Sequence, residues 1–301
     1  MRFSGQGLMS HTATTTISRY FNKRRGKALS GIWFGLSTAE FILPTLIIFL
    51  LSIISWRSIW QYTSLFIFLT LPVIVFYTIK NVKITSRESL DFKKIKESNK
   101  IKNWKRTEVL KDLKFYIISL NMIAMPWIAT GVFIYQSFIT ESKFWDIYLI
   151  PKSFMVYSVT SIITLISSGI LVDKFSSRKL VPYINLPMLL GLTLLLLFDY
   201  NLTSYLFFGL LGISNGLANV LGSSTWAEIY GVRYIGGIKA LTTALMVFST
   251  AFGTAIFGYL IDIGLTIEQI SLVCIVYVGI SLIFLISIKN SLEPIYLTKK
   301  A

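Results

Sequence analysis

Acidic side chains, histidine and cysteine are scarce in this chain. Its 301 residues carry 14 Asp and Glu against 29 Lys and Arg, with one histidine and one cysteine. Cys274 lies inside an apolar run and cannot close an intrachain disulfide. With His11 as the only histidine, a multi-histidine metal site or a histidine-based triad within one chain is not expected. The chain also lacks a G-x-x-x-x-G-K-[ST] loop, an H-E-x-x-H or C-x-x-C motif, and paired carboxylates at mid-span. Nothing therefore points to an enzyme, an ATP-driven pump or a resident cofactor. Polar surface is lacking as well: 14% of residues are charged, 54% are hydrophobic and the mean hydropathy is +0.67. That is too little to coat a water-soluble globule of this length, so the sequence reads as an integral membrane protein. The net charge of +15 sits in short blocks between apolar runs, the pattern of membrane loops rather than of a nucleic-acid surface.

A hydrocarbon core of about 30 Å requires roughly 20 apolar helical residues. Eight spans of that kind are expected, near Ala28–Ile54, Ser58–Ile79, Phe115–Gln136, Tyr148–Val172, Leu180–Phe198, Thr203–Gly222, Leu241–Ile261 and Ile267–Ile288. Phe3–Ser18, rich in Gly, Ser and Thr, is too short and polar to span securely and reads as the remnant of a span. Alternate loops on one side collect 25 of the 29 basic residues, leaving Arg2, Arg57, Lys143 and Lys152 on the other. The rich side is expected to be cytoplasmic, with its lysines and arginines near anionic lipid headgroups. A cell (inner) membrane location follows, with the large loop and the C-terminus inside.

An internal repeat organises the chain. RYFNKRRGKAL, Arg19 to Leu29, returns about 210 residues later as EIYGVRYIGGIKAL, Glu228 to Leu241. At an offset of 209, Gly7-Leu8 meets Gly216-Leu217, Thr14-Thr15-Thr16 meets Ser223-Ser224-Thr225, and Arg24 meets Arg233. Several matches in one register, each set between apolar segments, indicate two related halves. The mixed-charge stretch from 80 to 114 reads as a solvated cytoplasmic linker between them, with a short helix near Glu108 to Lys114. The expected domains are a partial first bundle (1–79), this linker (80–114) and a six-helix second bundle with a short tail (115–301).

Four segments then carry a resemblance. Gly169-Ile-Leu-Val-Asp173-Lys174-Phe-Ser-Ser-Arg178-Lys179 is similar to the signature loop G-x-x-x-D-R/K-x-x-x-R/K-R/K of the major facilitator superfamily. ISRYFNKRRGKAL resembles that family's loop between its fourth and fifth helices, Ser55-Trp56-Arg57 the turn entering the sixth, and Thr250 to Gly264 many eleventh helices. The chain thus resembles a member of this superfamily lacking its first three helices, nearest in flavour to the monocarboxylate and oxalate/formate carriers. The implied fold is all-α: a polytopic membrane bundle with an incomplete N-terminal half. The implied activity is secondary active transport of a small organic solute, a carboxylate in the narrower reading, coupled to an ion. A non-transporting membrane protein that associates with another membrane protein is the alternative.

Candidate residues follow from residue chemistry and from the resemblance. Gly169 permits close helix approach, Asp173 can accept from a neighbouring helix end, and Lys174, Arg178 and Lys179 can reach that acid or lipid headgroups; the resemblance makes this loop a cytoplasmic latch. The other reading is a plain positive-inside loop. Glu40 lies halfway along an apolar span, where an acid costs roughly 2.5–3.5 kcal/mol on insertion scales. It is expected to be a coupling or solute-contact residue, or else a protonated packing residue beside the small-residue stripe Gly31, Gly35 and Ala39. Arg2, in a segment similar to R-x-x-Q-G with its glutamine one residue late, and His11 are further coupling candidates. Asn121, Asn215 and Asn219 are expected either to line a solute path or to bond between helices, Asn215 and Asn219 sharing a face at i and i+4. Trp33, Trp127, Tyr135 and Tyr157 read as packing or interface aromatics.

Overall fold

The computed structural model describes residues 8–20, 24–80 and 101–296. Arg2 therefore lies outside the described residues, as does most of the linker. Every regular element among the described residues is a helix. Seven helical stretches are long and apolar enough to cross a membrane: Trp56–Tyr77, Leu113–Ile134, Leu149–Phe175, Ser177–Leu197, Asn201–Tyr230, Ile235–Asp262 and Ile267–Ser287. The protein is an all-α, multi-pass membrane bundle. We number its helices α1 (Ser10–Tyr20), α2 (Arg25–Leu51), α3 (Trp56–Lys80), α4 (Arg106–Val109), α5 (Leu113–Met122), α6 (Ala124–Ile134), α7 (Gln136–Ser142), α8 (Leu149–Phe175), α9 (Ser177–Leu180), α10 (Leu186–Leu197), α11 (Asn201–Tyr230), α12 (Ile235–Asp262) and α13 (Ile267–Ser287).

Several spans depart from their expected limits for local reasons. The span expected at Phe115–Gln136 is broken at Ile123 into α5 and α6. Pro126 offers no N–H to the carbonyl of Met122 and its ring crowds that turn. α11 runs on to Tyr230, eight residues past its expected end, because Ser223, Ser224, Thr225 and Trp226 are buried against protein. Gly231, at φ +80°, then ends it, in a left-handed conformation that glycine adopts without penalty. α12 starts at Ile235 rather than Leu241, which brings Lys239 into the helix. The repeat is mirrored in two helix starts: α2 begins at Arg25 and α12 at Ile235.

Two compact units divide the chain, and not at residue 80. One comprises 1–38 and 101–296; the other comprises 39–100 and 297–301. In the larger unit the end of the expected linker is docked: the Trp104 amide donates to the Tyr230 carbonyl, Val109 is fully buried, and Tyr230 Oη donates to Asp112 at the N-terminus of α5. The Glu108 carboxylate caps α4 by accepting from the Lys105 amide at 2.7 Å, and it pairs with Lys102. In the smaller unit α3 is exposed around nearly its whole circumference, with 6% of its apolar window buried.

Lipid gives apolar helices no reason to prefer one another over acyl chains, so pairing rests on close approach and hydrogen bonds. α8 and α11 show both. Gly212 lies against the carbonyl of Tyr157 and Gly216 against that of Ser161, so closely that a Cβ at either would overlap backbone. Ser153 Oγ meets Ser204 Oγ at 2.8 Å, and Thr160 Oγ1 donates to the Gly209 carbonyl at 2.9 Å. α6 and α12 repeat the device where Gly253 meets the Trp127 carbonyl and Tyr135 Oη donates to Thr254 O at 3.1 Å. Trp127, Tyr135 and Tyr157 are packing residues here. At the end away from the basic loops, buried Lys143 pairs with Asp199 and with Glu268, tying the turn after α7 to the turn after α10 and to the first turn of α13.

Two predictions follow. Gly212→Leu should cost about 1–3 kcal/mol or more, seen as a lower thermal midpoint in detergent, whereas Gly279→Leu, facing open space, should leave it nearly unchanged; equal effects would contradict the seam. The hydrogen bond from the Lys105 amide, followed by that from Lys102, holds Glu108 below the usual carboxylate range. Its cap is accordingly complete above the ordinary value of about 4.3 and is lost as pH falls through the lowered folded value. Amide exchange at Lys105, corrected for intrinsic rate, should show protection disappearing on that acid side in the wild type and absent throughout in Glu108→Ala.

Candidate functional site

The helix ends that carry most of the basic residues converge on one polar cluster. Gly26, in the first turn of α2, and Gly169 of α8 are packed backbone to backbone; a Cβ at Gly169 would lie 2.8 Å from Ser30 Oγ and 3.0 Å from Gly26 O. That approach carries the start of α2 to Asp173, one turn beyond Gly169. Asp173 Oδ1 accepts from the Gly26 amide at 2.8 Å and Oδ2 accepts from the Lys27 amide at 3.3 Å. A carboxylate thus occupies the position where a helix leaves N–H groups unpaired and carries its positive dipole end. Charge-assisted bonds of this kind exceed neutral ones, and they are lost as soon as α2 withdraws.

A second acid holds the turn after α8. Glu228, near the end of α11, accepts from Ser176 Oγ, from the Ser177 amide at 3.0 Å and from the Arg178 amide at 3.2 Å. Ser176 sits at φ 75°, ψ 138°, a conformation costly for a residue with a Cβ. The bonds to Glu228 hold it there. Arg25, buried at the start of α2, donates to the Ser18 carbonyl at 3.3 Å and lies within electrostatic reach of Glu228 and Asp173. Two acids from α8 and α11 thereby face a cation and a helix N-terminus from α2. Such an arrangement can bind and release a helix end without covalent change.

The expected loop residues divide between this cluster and the surface. Arg178 does not reach Asp173: its guanidinium pairs with Glu293 at 2.8 Å, because the Ser176 turn directs it toward the segment after α13. Lys174 lies over the Phe175 ring and Lys179 is exposed, both free to face headgroups.

The remaining candidates are placed apart from the cluster or beside it. Glu40 lies at mid-length of α2 in the smaller unit, with Oε2 buried and without a hydrogen-bond partner among the described residues. Asn121 is fully buried, its side-chain amide donating to Ser281 Oγ at 3.2 Å while its backbone carbonyl accepts from Asn185 Nδ2; it bonds between helices. Asn215 and Asn219 are half-buried, bonded to each other at 3.5 Å, and Asn215 donates to Ser161 Oγ of α8 at 3.0 Å. His11 lies on α1 against the backbone of Lys239, with Nδ1 buried and unpartnered among the described residues. Trp33 packs partly buried in the core near Leu29.

Residue-by-residue reading missed Glu228, Arg25, Lys239 and Glu293. A signal existed for Glu228, an acid within the repeat at an otherwise basic end. None existed for the pairing of Arg178 with Glu293, which depends on how the tail folds back. No family model matches the chain, and no curated protein matches it.

Replacing Asp173 by Asn should remove most of the charge-assisted part of the cap, about 0.5–2 kcal/mol for a helix N-terminal partner. Amide exchange at Gly26 and Lys27 should then accelerate by roughly threefold to thirtyfold, with exchange in α13 unchanged; equal rates in wild type and variant would contradict the capping role.

Proposed function

We propose that the protein is a secondary transporter of a small organic solute, built on the plan of the major facilitator superfamily. The observation that carries this reading is the bond between Asp173 and the first amides of α2. The signature-like loop of the second half holds the N-terminus of a helix from the first half, which is what a releasable end-gate requires. The repeat-matched starts of α2 and α12 and the density of Lys and Arg at this end support it, and by the positive-inside rule we read this end as the cytoplasmic one in a cell (inner) membrane. Gly169 and Asp173 form the gate, Lys174 and Lys179 meet anionic headgroups, and Arg178 braces the loop against Glu293. Glu40 is the coupling residue: an acid at mid-span with an unpartnered oxygen is suited to take up and release a proton as the path opens to each side. Asn215 and Asn219 contact solute, exchanging bonds within the pair for bonds to it. No nucleic acid or cofactor enters the scheme.

One observation favours a second reading, in which the chain associates with another membrane protein without transporting. α3 is exposed almost all round, more than any other candidate span.

Reconstituted vesicles decide between them. With a panel of carboxylates, amino acids and sugars under an imposed proton gradient, the transport reading expects uptake of one class, reduced on the order of tenfold or more in Glu40→Gln. Uptake of no class, together with recovery of a stoichiometric membrane partner from native membranes, would establish the second reading instead.

A further inference from the structure

Lys239 stands out among the described cations. It is 3% exposed, yet no acid lies within ion-pair distance of it among the described residues. Its Nζ makes one hydrogen bond, to the Thr14 carbonyl of α1 at 2.9 Å. The charge that acts on it is another cation, Arg25. Asp173 and Glu228 act on Arg25, and both are already engaged by the α2 amides and by the Ser176 turn. An ammonium group has three donors, so Lys239 keeps two unused in a place where unpaired charge is costly.

The groups around it are short of partners in the same way. His11 Nδ1 and Thr15 Oγ1, one turn apart on α1, are buried and unpartnered among the described residues. Both belong to the seam that α1 forms with α12. His11 lies against the backbone of Lys239, and the Thr15 methyl would be 3.7 Å from a Cβ on Gly236, one turn before Lys239. Gly236 and Gly237 leave that stretch of α12 without side-chain bulk. Among the described residues the seam therefore holds a buried ammonium with unused donors, a hydroxyl without a partner and an imidazole whose Nδ1 is unpartnered. One small oxyanion would accept from the ammonium and the hydroxyl together and give Lys239 the counter-charge it lacks among the described residues.

We propose that the α1–α12 seam at Lys239 is a binding site for a small oxyanion, a phosphate or carboxylate group held by Lys239, Thr15 and His11. The inference stands whether or not the protein transports a solute. A phosphate group could arrive free or on a lipid, and the test separates these sources.

The full chain is placed in nanodiscs of purely zwitterionic lipid, and its thermal midpoint is followed against inorganic phosphate and acetate, with chloride at matched ionic strength as reference. A second preparation contains phosphatidylglycerol and no added phosphate. The expected result is a saturable rise in midpoint beyond that with chloride, and a loss of apparent affinity of tenfold or more in Lys239→Met. Thr15→Val, which retains the charge and the fold, should weaken binding by threefold or more and serves if Lys239→Met does not fold. A rise with free phosphate or acetate in zwitterionic discs assigns a soluble oxyanion. A rise confined to phosphatidylglycerol discs and lost in the same variants assigns a lipid headgroup. No rise in any preparation, or an equal rise in wild type and Thr15→Val, overturns the proposal.

Discussion

The carboxylate of Asp173 against the first amides of α2 is the interaction on which the arrangement at the basic end depends. It works because Gly26 and Gly169 let two backbones meet without intervening Cβ atoms, which brings a helix N-terminus within reach of an acid one turn along α8. The same approach buries Arg25 between α1 and the acids of α8 and α11. Glu228 in turn holds Ser176 in a costly conformation and turns Arg178 toward Glu293.

Behind the cluster lies a bundle held by what lipid permits. Glycine faces and hydroxyl-to-carbonyl bonds join α8 to α11 and α6 to α12, and side-chain amides join α5 to α13. These devices fix helix axes closely, so α8 presents Gly169 and Asp173 as part of a rigid body. A charge-assisted contact at the end of a rigid helix pair is well placed to have two states, because it is either made in full or absent.

Apolar run length made most of the bundle legible in the sequence, and spacing made Gly169 and Asp173 legible as a helix-approach and helix-end pair. The limits of the spans were less so. Ser223 to Glu228 looked too polar to continue α11, since hydropathy does not register burial against neighbouring protein. Partner choice was not legible at all. Arg178, five residues from Asp173, was expected to reach that acid or lipid headgroups, yet a turn at Ser176 sends it to Glu293 in the segment after α13. Asn121, expected either to line a path or to bond between helices, is fully buried and bonds from α5 to Ser281 of α13.

The most direct test of the proposed gate is a distance distribution between spin labels at Lys27→Cys and Lys174→Cys in vesicles, both positions being exposed and Cys274 buried. A short-distance population should dominate in the otherwise wild-type chain, and Asp173→Asn should move a substantial share of it to a longer, discrete distance. A single distribution that Asp173→Asn leaves in place would contradict the account, making the contact a fixed part of the bundle rather than a gate.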